Sequence, residues 1–179
     1  MMTGVGALRG EAAGQPATVG ADFDAFYTAE YASLLRLAFV LTGSRPVAEE
    51  LVQETMLRAF RHWSRIADYE RPGAWARRVL VNLATSRGRR LAAEARALGR
   101  LRARPPEPAL SAEAMELWNA VRALPARQAQ VTALAYAEDR SIAEIATMLG
   151  IAEGTVKAVL HRARGNLARV LALKDEEPQ

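Results

Sequence analysis

The sequence predicts an all-α chain of two small helical domains joined by a flexible linker. Three observations carry this. Apolar residues recur at three- and four-residue spacing over most of the 179 residues. No segment alternates apolar and polar residues strictly, as a half-buried strand would. Between the two patterned regions lies Arg104-Pro105-Pro106-Glu107-Pro108, which cannot continue a helix.

Residues 1–21 are expected to form a disordered arm. The first twenty hold five glycines and one proline, and lack the continuous apolar core flanked by positive charge of a signal peptide. The first block spans residues 22–90. Phe23, Phe26, Tyr27, Tyr31, Leu34, Leu35, Ala38 and Leu41 mark one face of its first helix, which Gly43 ends. Ser44 stands where it can cap the next helix. Pro46 suits the first turn, where the missing N–H would be unbonded anyway. Ala48, Leu51, Val52, Thr55, Met56, Ala59, Phe60 and Trp63 then form the clearest amphipathic stripe in the chain. Residues 64–71 break the pattern, and Pro72 opens a third helix with apolar positions Trp75, Ala76, Val79, Leu80 and Leu83, ending in Arg87-Gly88-Arg89-Arg90.

Residues 91–110 are the linker, with helix in its first half left as an option. Its arginines at 96, 100, 102 and 104 fit either solubilising charge or contact with nucleic acid. The second block spans 111–172: a helix over about 111–124, another opened by Pro125, and then the most specific stretch of the chain. Residues 173–179 are a polar tail.

That stretch starts at Ser141. Ser141 and Glu144 have capping-box spacing, which satisfies two orphan N–H groups reciprocally. Ile142, Ile145, Ala146 and Leu149 follow on one face, and Gly150 sits where a helix ends in a left-handed residue. A second helix opens near Gly154, with Thr155, Lys157, His161, Arg162 and Arg164 set between Val156, Leu160, Ala163 and Leu167. Two short helices around a tight turn, the second with a basic outer face, describe a helix-turn-helix whose second helix enters the DNA major groove.

Charge agrees with this and narrows the function class. The net charge is +4 and the sequence pI about 9.9, which favours a polyanionic partner. Residues 58–90 hold nine arginines against Asp68 and Glu70, while residues 154–169 hold Lys157, Arg162, Arg164 and Arg169 with no acid. Two one-signed segments suggest two separate contacts with phosphate. With no cysteine there is no disulfide, thiolate nucleophile or Cys-based zinc site. Two histidines, no metal-ligand spacing, no Gly-rich phosphate loop and no nucleophile elbow give an enzyme no foothold. The expectation is a cytoplasmic protein without cofactor or metal, since no run approaches about 20 apolar residues.

The first block narrows the choice among DNA-binding proteins. Ala48-Glu49-Glu50-Leu51-Val52-Gln53-Glu54-Thr55 resembles the conserved-region-2 helix of bacterial sigma factors, and Trp75-Ala76-Arg77-Arg78-Val79-Leu80-Val81-Asn82-Leu83 resembles that family's −10 element helix. The Gly-Thr-Val-Lys opening at 154–157 and the His-Arg-Ala-Arg step at 161–164 resemble sigma region 4. Short length and a loose linker make the chain similar to the extracytoplasmic-function (ECF, group 4) sigma factors. The resemblance covers residues 22–90 and 111–172. It implies a region 2 three-helix bundle and a region 4 helix-turn-helix. It also implies core RNA polymerase and promoter DNA as partners, with an anti-sigma factor as a further one common in the family.

It distributes site residues in three sets. Glu49, Glu50, Leu51, Val52, Gln53 and Glu54 would meet core polymerase; the alternative for Glu49 and Glu50 is favourable charge at a helix N-terminus. Tyr69, Trp75, Arg78, Asn82, Arg89 and Arg90 would hold −10 DNA, where aromatics beside arginines can stack on unpaired bases. Among these aromatics Tyr69 is the better stacking candidate, whereas Trp63 fits the core stripe; Asn82 can pair with a base edge or cap a helical turn. Thr155, Lys157, His161, Arg162 and Arg164 would meet the −35 element. Two positions depart from the family's habit. Val159 stands at an expected DNA-facing site, where it loses a polar contact or offers one to a thymine methyl. Ala152 replaces a frequent capping Ser, leaving Glu153 or water to satisfy the first N–H groups. A stand-alone regulator with an N-terminal sensing or dimerisation domain is the competing function; binding to core polymerase and to single-stranded −10 DNA separates the two.

Overall fold

The computed structural model describes the backbone of residues 16–98 and 111–175 and the side chains of residues 22–91, 111 and 113–172. Eight helices form among the described residues, and no strand: α1 (Pro16–Thr42), α2 (Arg45–Arg61), α3 (Trp63–Ile66), α4 (Pro72–Leu98), α5 (Ala112–Ala123), α6 (Ala126–Tyr136), α7 (Ile142–Leu149) and α8 (Glu153–Asp175). Helix α1 opens at Pro16, inside the segment expected to be an arm, and α4 runs to Leu98, inside the expected linker. Residues 1–15, 99–110 and 176–179, with the linker arginines at 100, 102 and 104, lie outside the described residues.

In the first block α2 and α4 pack on α1 and on each other, with the one-turn α3 closing the base. Gly43 ends α1 at φ +67, a conformation that favours glycine. Ser44 occupies the N-cap of α2 with extended backbone, but its side chain makes no capping bond. Thr42 acts instead: its Oγ1 donates to Ala38 O at 2.8 Å and accepts from Ser44 N at 3.4 Å. Trp63 is buried, ringed by Phe23 at 5.4 Å edge-on and Phe26 at 4.9 Å, so the core assignment for this tryptophan holds.

In the second block α5 and α6 support the α7–α8 pair. Both halves of the Ser141–Glu144 capping box form: Glu144 N donates to Ser141 Oγ at 3.2 Å and Ser141 N to Glu144 Oε2 at 3.0 Å. Gly150 ends α7 at φ +65, with Ile151 N bonded back to Ala146 O at 3.0 Å. Gly150→Ala therefore strains the turn by roughly 1–2 kcal/mol, the cost of a side chain in the left-handed region; chemical denaturation measures it, and an unchanged midpoint would show that the turn can relax. The hydrogen bonds from Ser141, first its backbone N–H and then its hydroxyl, hold the Glu144 carboxyl below its ordinary range, with Arg140 adding to the effect. Its folded pKa is lower than its unfolded one, so this contribution to stability is complete above the unfolded value of roughly 4.3 and is lost as pH falls below it. Glu144→Gln should flatten the stability-versus-pH curve in that acid window, and an unaltered curve would remove Glu144 from the explanation.

The two blocks are not separate cores. One buried cluster joins Leu34, Leu37, Leu80 and Val81 of the first block to Val131, Leu134, Ile145 and Val156 of the second. Helix α1 touches α5 and α6, and α4 touches α7. These added neighbours explain why Leu37 and Val40, outside the expected stripe of α1, are buried as well. The two expected helical domains are thus both present, and in this structure they dock on a shared core.

Polar groups stitch the junction. Gln130 Nε2 reaches Thr85 Oγ1 at 2.6 Å and Val81 O at 3.2 Å. Arg122 Nη1 donates to Val40 O at 2.9 Å, near the C-terminal end of α1 where a cation is favoured. Burial lowers the Arg122 pKa from its ordinary value. Arg77 is almost wholly buried, with Nε on Glu138 at 2.7 Å, Nη1 on Glu30 at 2.6 Å and on Gly73 O at 3.1 Å, and Nη2 on Ser33 Oγ at 2.7 Å. Burial alone would lower its pKa, but the bond and charge of Glu138 and those of Glu30 outweigh it, and the net shift is upward.

Candidate nucleic-acid interface

Helix α8 presents the helix-turn-helix face that its spacing predicts. Thr155, Lys157, His161, Arg162 and Arg164 are all exposed, while Val156, Val159, Leu160 and Ala163 are buried. Val159 is therefore corrected: only 6% exposed, it faces the core rather than DNA. Positions 156, 159, 160 and 163 form an i, i+3, i+4, i+7 stripe, and 159 lies inside it. Ala152 contributes through its carbonyl, which accepts from Thr155 N at 2.9 Å and Val156 N at 3.2 Å, and Glu153 puts an acid in the first turn, where negative charge is favourable.

The exposed face has two flanks. Lys157 and Arg164, about two helical turns apart, share one; Thr155 and Arg162 share the other. Arg164 is held in place, its Nε donating to Tyr136 Oη at 2.9 Å and its guanidinium carbon 5.9 Å from the Tyr136 ring centre. Sequence reading missed Tyr136; the signal, an aromatic at the end of α6, has no local periodicity to mark it.

The six residues assigned to the −10 strand divide three ways. Tyr69, Trp75 and Arg78 line one open cavity of about 680 Å³. Asn82 lies seven residues beyond Trp75 and is exposed on the same face of α4. Arg89 instead lines a cavity of about 310 Å³ between the blocks with Arg122 and Gln130. Arg90 lines a third, of about 620 Å³, between α2 and α4. The far wall of the first cavity is helix α7, with Ser141, Ala143, Glu144, Thr147 and Met148. Arg71 Nη1 reaches across to Glu144 at 3.8 Å.

The groove between α2 and α4 is lined by Glu50, Gln53, Glu54, Leu57, Arg87 and Arg90 among others. Glu49, Glu50 and Glu54 are each paired with an arginine: Arg45 at 2.9 Å, Arg87 at 2.9 Å and Arg58 at 2.7 Å. The helix starts at Arg45, so these acids lie beyond its first turn and the dipole alternative for Glu49 and Glu50 falls away. Leu51 and Val52 are corrected as contact residues. They are 5% and 0% exposed and belong to the core, Leu51 forming part of the groove floor, which leaves Glu49, Glu50, Gln53 and Glu54, with the exposed Leu57, as the accessible face.

Among the described residues, no three His, Asp or Glu side chains cluster as a metal site would require, and no helix is long and apolar enough to cross a membrane. The fold and its surfaces define a two-block helical DNA-binding protein: a helix-turn-helix on one block, an aromatic and arginine-lined groove on the other, and a separate mixed-charge groove behind it. Models of sigma-70 region 2 and sigma-70 region 4 match residues 26–94 and 114–167, in that order. The ECF RNA polymerase sigma factor SigL of Mycobacterium tuberculosis is 37% identical over 158 residues, spanning 84% of this chain and 89% of its own. The RNA polymerase sigma-E factor of Streptomyces coelicolor is 30% identical over 156 residues, spanning 86% and 88%. Among solved structures, the sigma factor RpoE of Bartonella quintana in complex with the anti-sigma factor NepR superposes with TM-score 0.69 at 26% identity, over 84% of this chain and 97% of that one. The chain belongs to the sigma-70 family of RNA polymerase sigma factors, and within it to the ECF group.

Proposed function

We propose that the protein is an alternative sigma factor: it binds core RNA polymerase in the cytoplasm and directs transcription initiation at promoters whose −10 and −35 elements it recognises. The observation that carries this is the pairing, in one chain and in order, of a region 2 match and a region 4 match, each with its own exposed basic surface. The protein works by binding and catalyses no reaction itself. The stand-alone regulator reading gives way, because it has no use for a region 2 helix set.

The residues divide by chemistry. Glu50, Gln53 and Glu54 offer acids and an amide to a basic protein surface, with the exposed Leu57 beside them as an apolar anchor. Tyr69 and Trp75 offer ring faces on which unpaired bases stack, Arg78 offers charge for the strand, and Asn82 offers an amide for a base edge. Helix α8 reads duplex. A regulatory protein that sequesters the factor fits the same picture, since the RpoE structure it resembles is a complex with an anti-sigma factor.

Reversing charge at Glu50 together with Gln53→Ala should weaken retention of core polymerase at least about tenfold, as expected for losing a hydrogen-bonded charge at an interface. Binding of α8 to duplex should persist. Pull-down against purified core enzyme measures the first and a mobility shift the second; undiminished retention would take the anchor away from α2. Glu50→Lys also breaks the pair with Arg87, so Gln53→Ala alone, which touches no ion pair, serves as the control for altered folding.

A further inference from the structure

Helix α6 ends at Tyr136, whose side chain is 54% exposed beside α8. Arg164 donates through Nε to Tyr136 Oη at 2.9 Å, and its guanidinium carbon lies 5.9 Å from the ring centre, within reach of a cation–π contact. A phenol has one proton to give and two lone pairs to receive. The arginine occupies a lone pair, so the Tyr136 hydroxyl proton is still to be given, and no acceptor among the described residues takes it. The guanidinium likewise keeps both Nη groups, the end that grips two oxygens of one anion side by side. Arg164 forms no ion pair among the described residues, and residues 154–169 hold no acid beside it. The acid nearest to Tyr136 in sequence, Glu138, is turned inward, its side chain 2% exposed against Arg77.

The position of this pair suits a nucleic-acid backbone. Arg164 follows Thr155 by nine residues, about 13 Å along the helix axis. The major groove is about 12 Å wide, so a helix that enters it at Thr155 brings Arg164 to the rim, where phosphates run. A side chain already held in its binding geometry loses less conformational freedom when it binds. The brace also ties two elements together, because the Nε–Oη bond joins α8 to the end of α6. A phosphate gripped from both therefore sets the angle at which α8 lies in the groove.

We propose that Tyr136 and Arg164 together form a cradle for one backbone phosphate of the −35 duplex. Tyr136 acts twice: it orients the Arg164 guanidinium by accepting from Nε, and it donates its own O–H to the phosphate that the Nη groups grip. The cradle reads no base, since phosphate contacts carry register and orientation alone. Its work is to fix the register in which Thr155 and Arg162 meet the base edges. The inference rests on the sigma-factor reading of α8 and deepens it, adding to the helix-turn-helix a residue from the helix before it.

The test measures binding of the full chain to a fluorescent duplex that the chain itself selects from a random library. The same duplex is then made with one phosphate at a time replaced by a neutral methylphosphonate. Tyr136→Phe keeps the ring beside the guanidinium and removes the hydroxyl, while Arg164→Ala removes the cation. Tyr136→Phe should bind the unmodified duplex about tenfold more weakly, the worth of one hydrogen bond to a charged group. Arg164→Ala should also reduce the salt slope by about one. The double variant should lose less than the product of the two single losses, because both side chains serve one anion. At one methylphosphonate position the parent chain should weaken and its advantage over both single variants should disappear. Parent-like affinity of Tyr136→Phe would overturn the cradle. So would a Tyr136→Phe deficit that persists at every methylphosphonate position, the result expected if the hydroxyl serves only the fold. Failure of the parent chain to bind any duplex would overturn the cradle together with the −35 assignment of α8, whereas the two results before it leave that assignment standing.

Discussion

Leu134→Ala is expected to destabilise the protein by about 2–5 kcal/mol, the range for emptying a fully buried leucine site. Leu134 lies on α6 with no exposed surface and belongs to the cluster that also contains Leu34 and Leu80 of the first block and Ile145 and Val156 of the second. The loss is therefore expected to be felt by both blocks. Tryptophans report on each: Trp63 and Trp75 on the first, Trp118 on the second. Urea unfolding followed by fluorescence in single-tryptophan variants should give coincident transitions for the parent chain, both moved together by Leu134→Ala. A shift confined to Trp118 would mean that the blocks unfold independently and that the shared core contributes little to either.

The second large effect concerns Arg162 and Lys157 on α8. Lys157 shares its flank with Arg164, which Tyr136 already orients through a 2.9 Å bond. Two cations on one flank suit two phosphates, and phosphate contacts position a protein without reading sequence. Arg162 stands on the other flank with Thr155, bonded among the described residues to Ala158 O of its own helix at 3.2 Å, an interaction a guanine edge can replace. A bidentate arginine–guanine pair discriminates by about 1–3 kcal/mol. Arg162→Ala should therefore cost roughly 5- to 150-fold on the preferred −35 duplex and little on its variants at one position. Lys157→Ala should weaken binding evenly over all sequences and reduce the salt slope by about one. Titrations on duplexes varied at each −35 position, at two salt concentrations, separate the cases. Equal losses on every sequence for both variants would merge the two flanks into one phosphate-binding surface.

What could be read from the sequence was local. The Ser141–Glu144 box, the left-handed Gly150 and the exposed face of α8 depend on residues within one or two turns, and periodicity reports them directly. Val159 shows the limit of pattern by analogy: a habit of the family put it on DNA, while the spacing of 156, 159, 160 and 163 puts it in the core, where it is found. Leu51 and Val52 were carried into the polymerase set by their neighbours, although their own stripe positions already pointed inward. Arg77 could not be read at all. It sits one residue from Arg78 in a basic helix, yet its carboxylates are 47 and 61 residues away, and only the docking of the blocks brings them to it. For the same reason the division of Arg89 and Arg90 between two cavities was hidden, since both belong to one basic run until α2 and α6 give them different neighbours.

Run-off transcription with purified core polymerase on a randomised promoter library tests the sigma-factor assignment most directly. Adding the chain should produce transcripts from a subset of templates that share two elements at fixed spacing. Asn82→Ala should relax base preference at one position of the downstream element and Arg162→Ala at one position of the upstream element. Duplex binding through α8 without retention on core enzyme and without any chain-dependent transcript would contradict it.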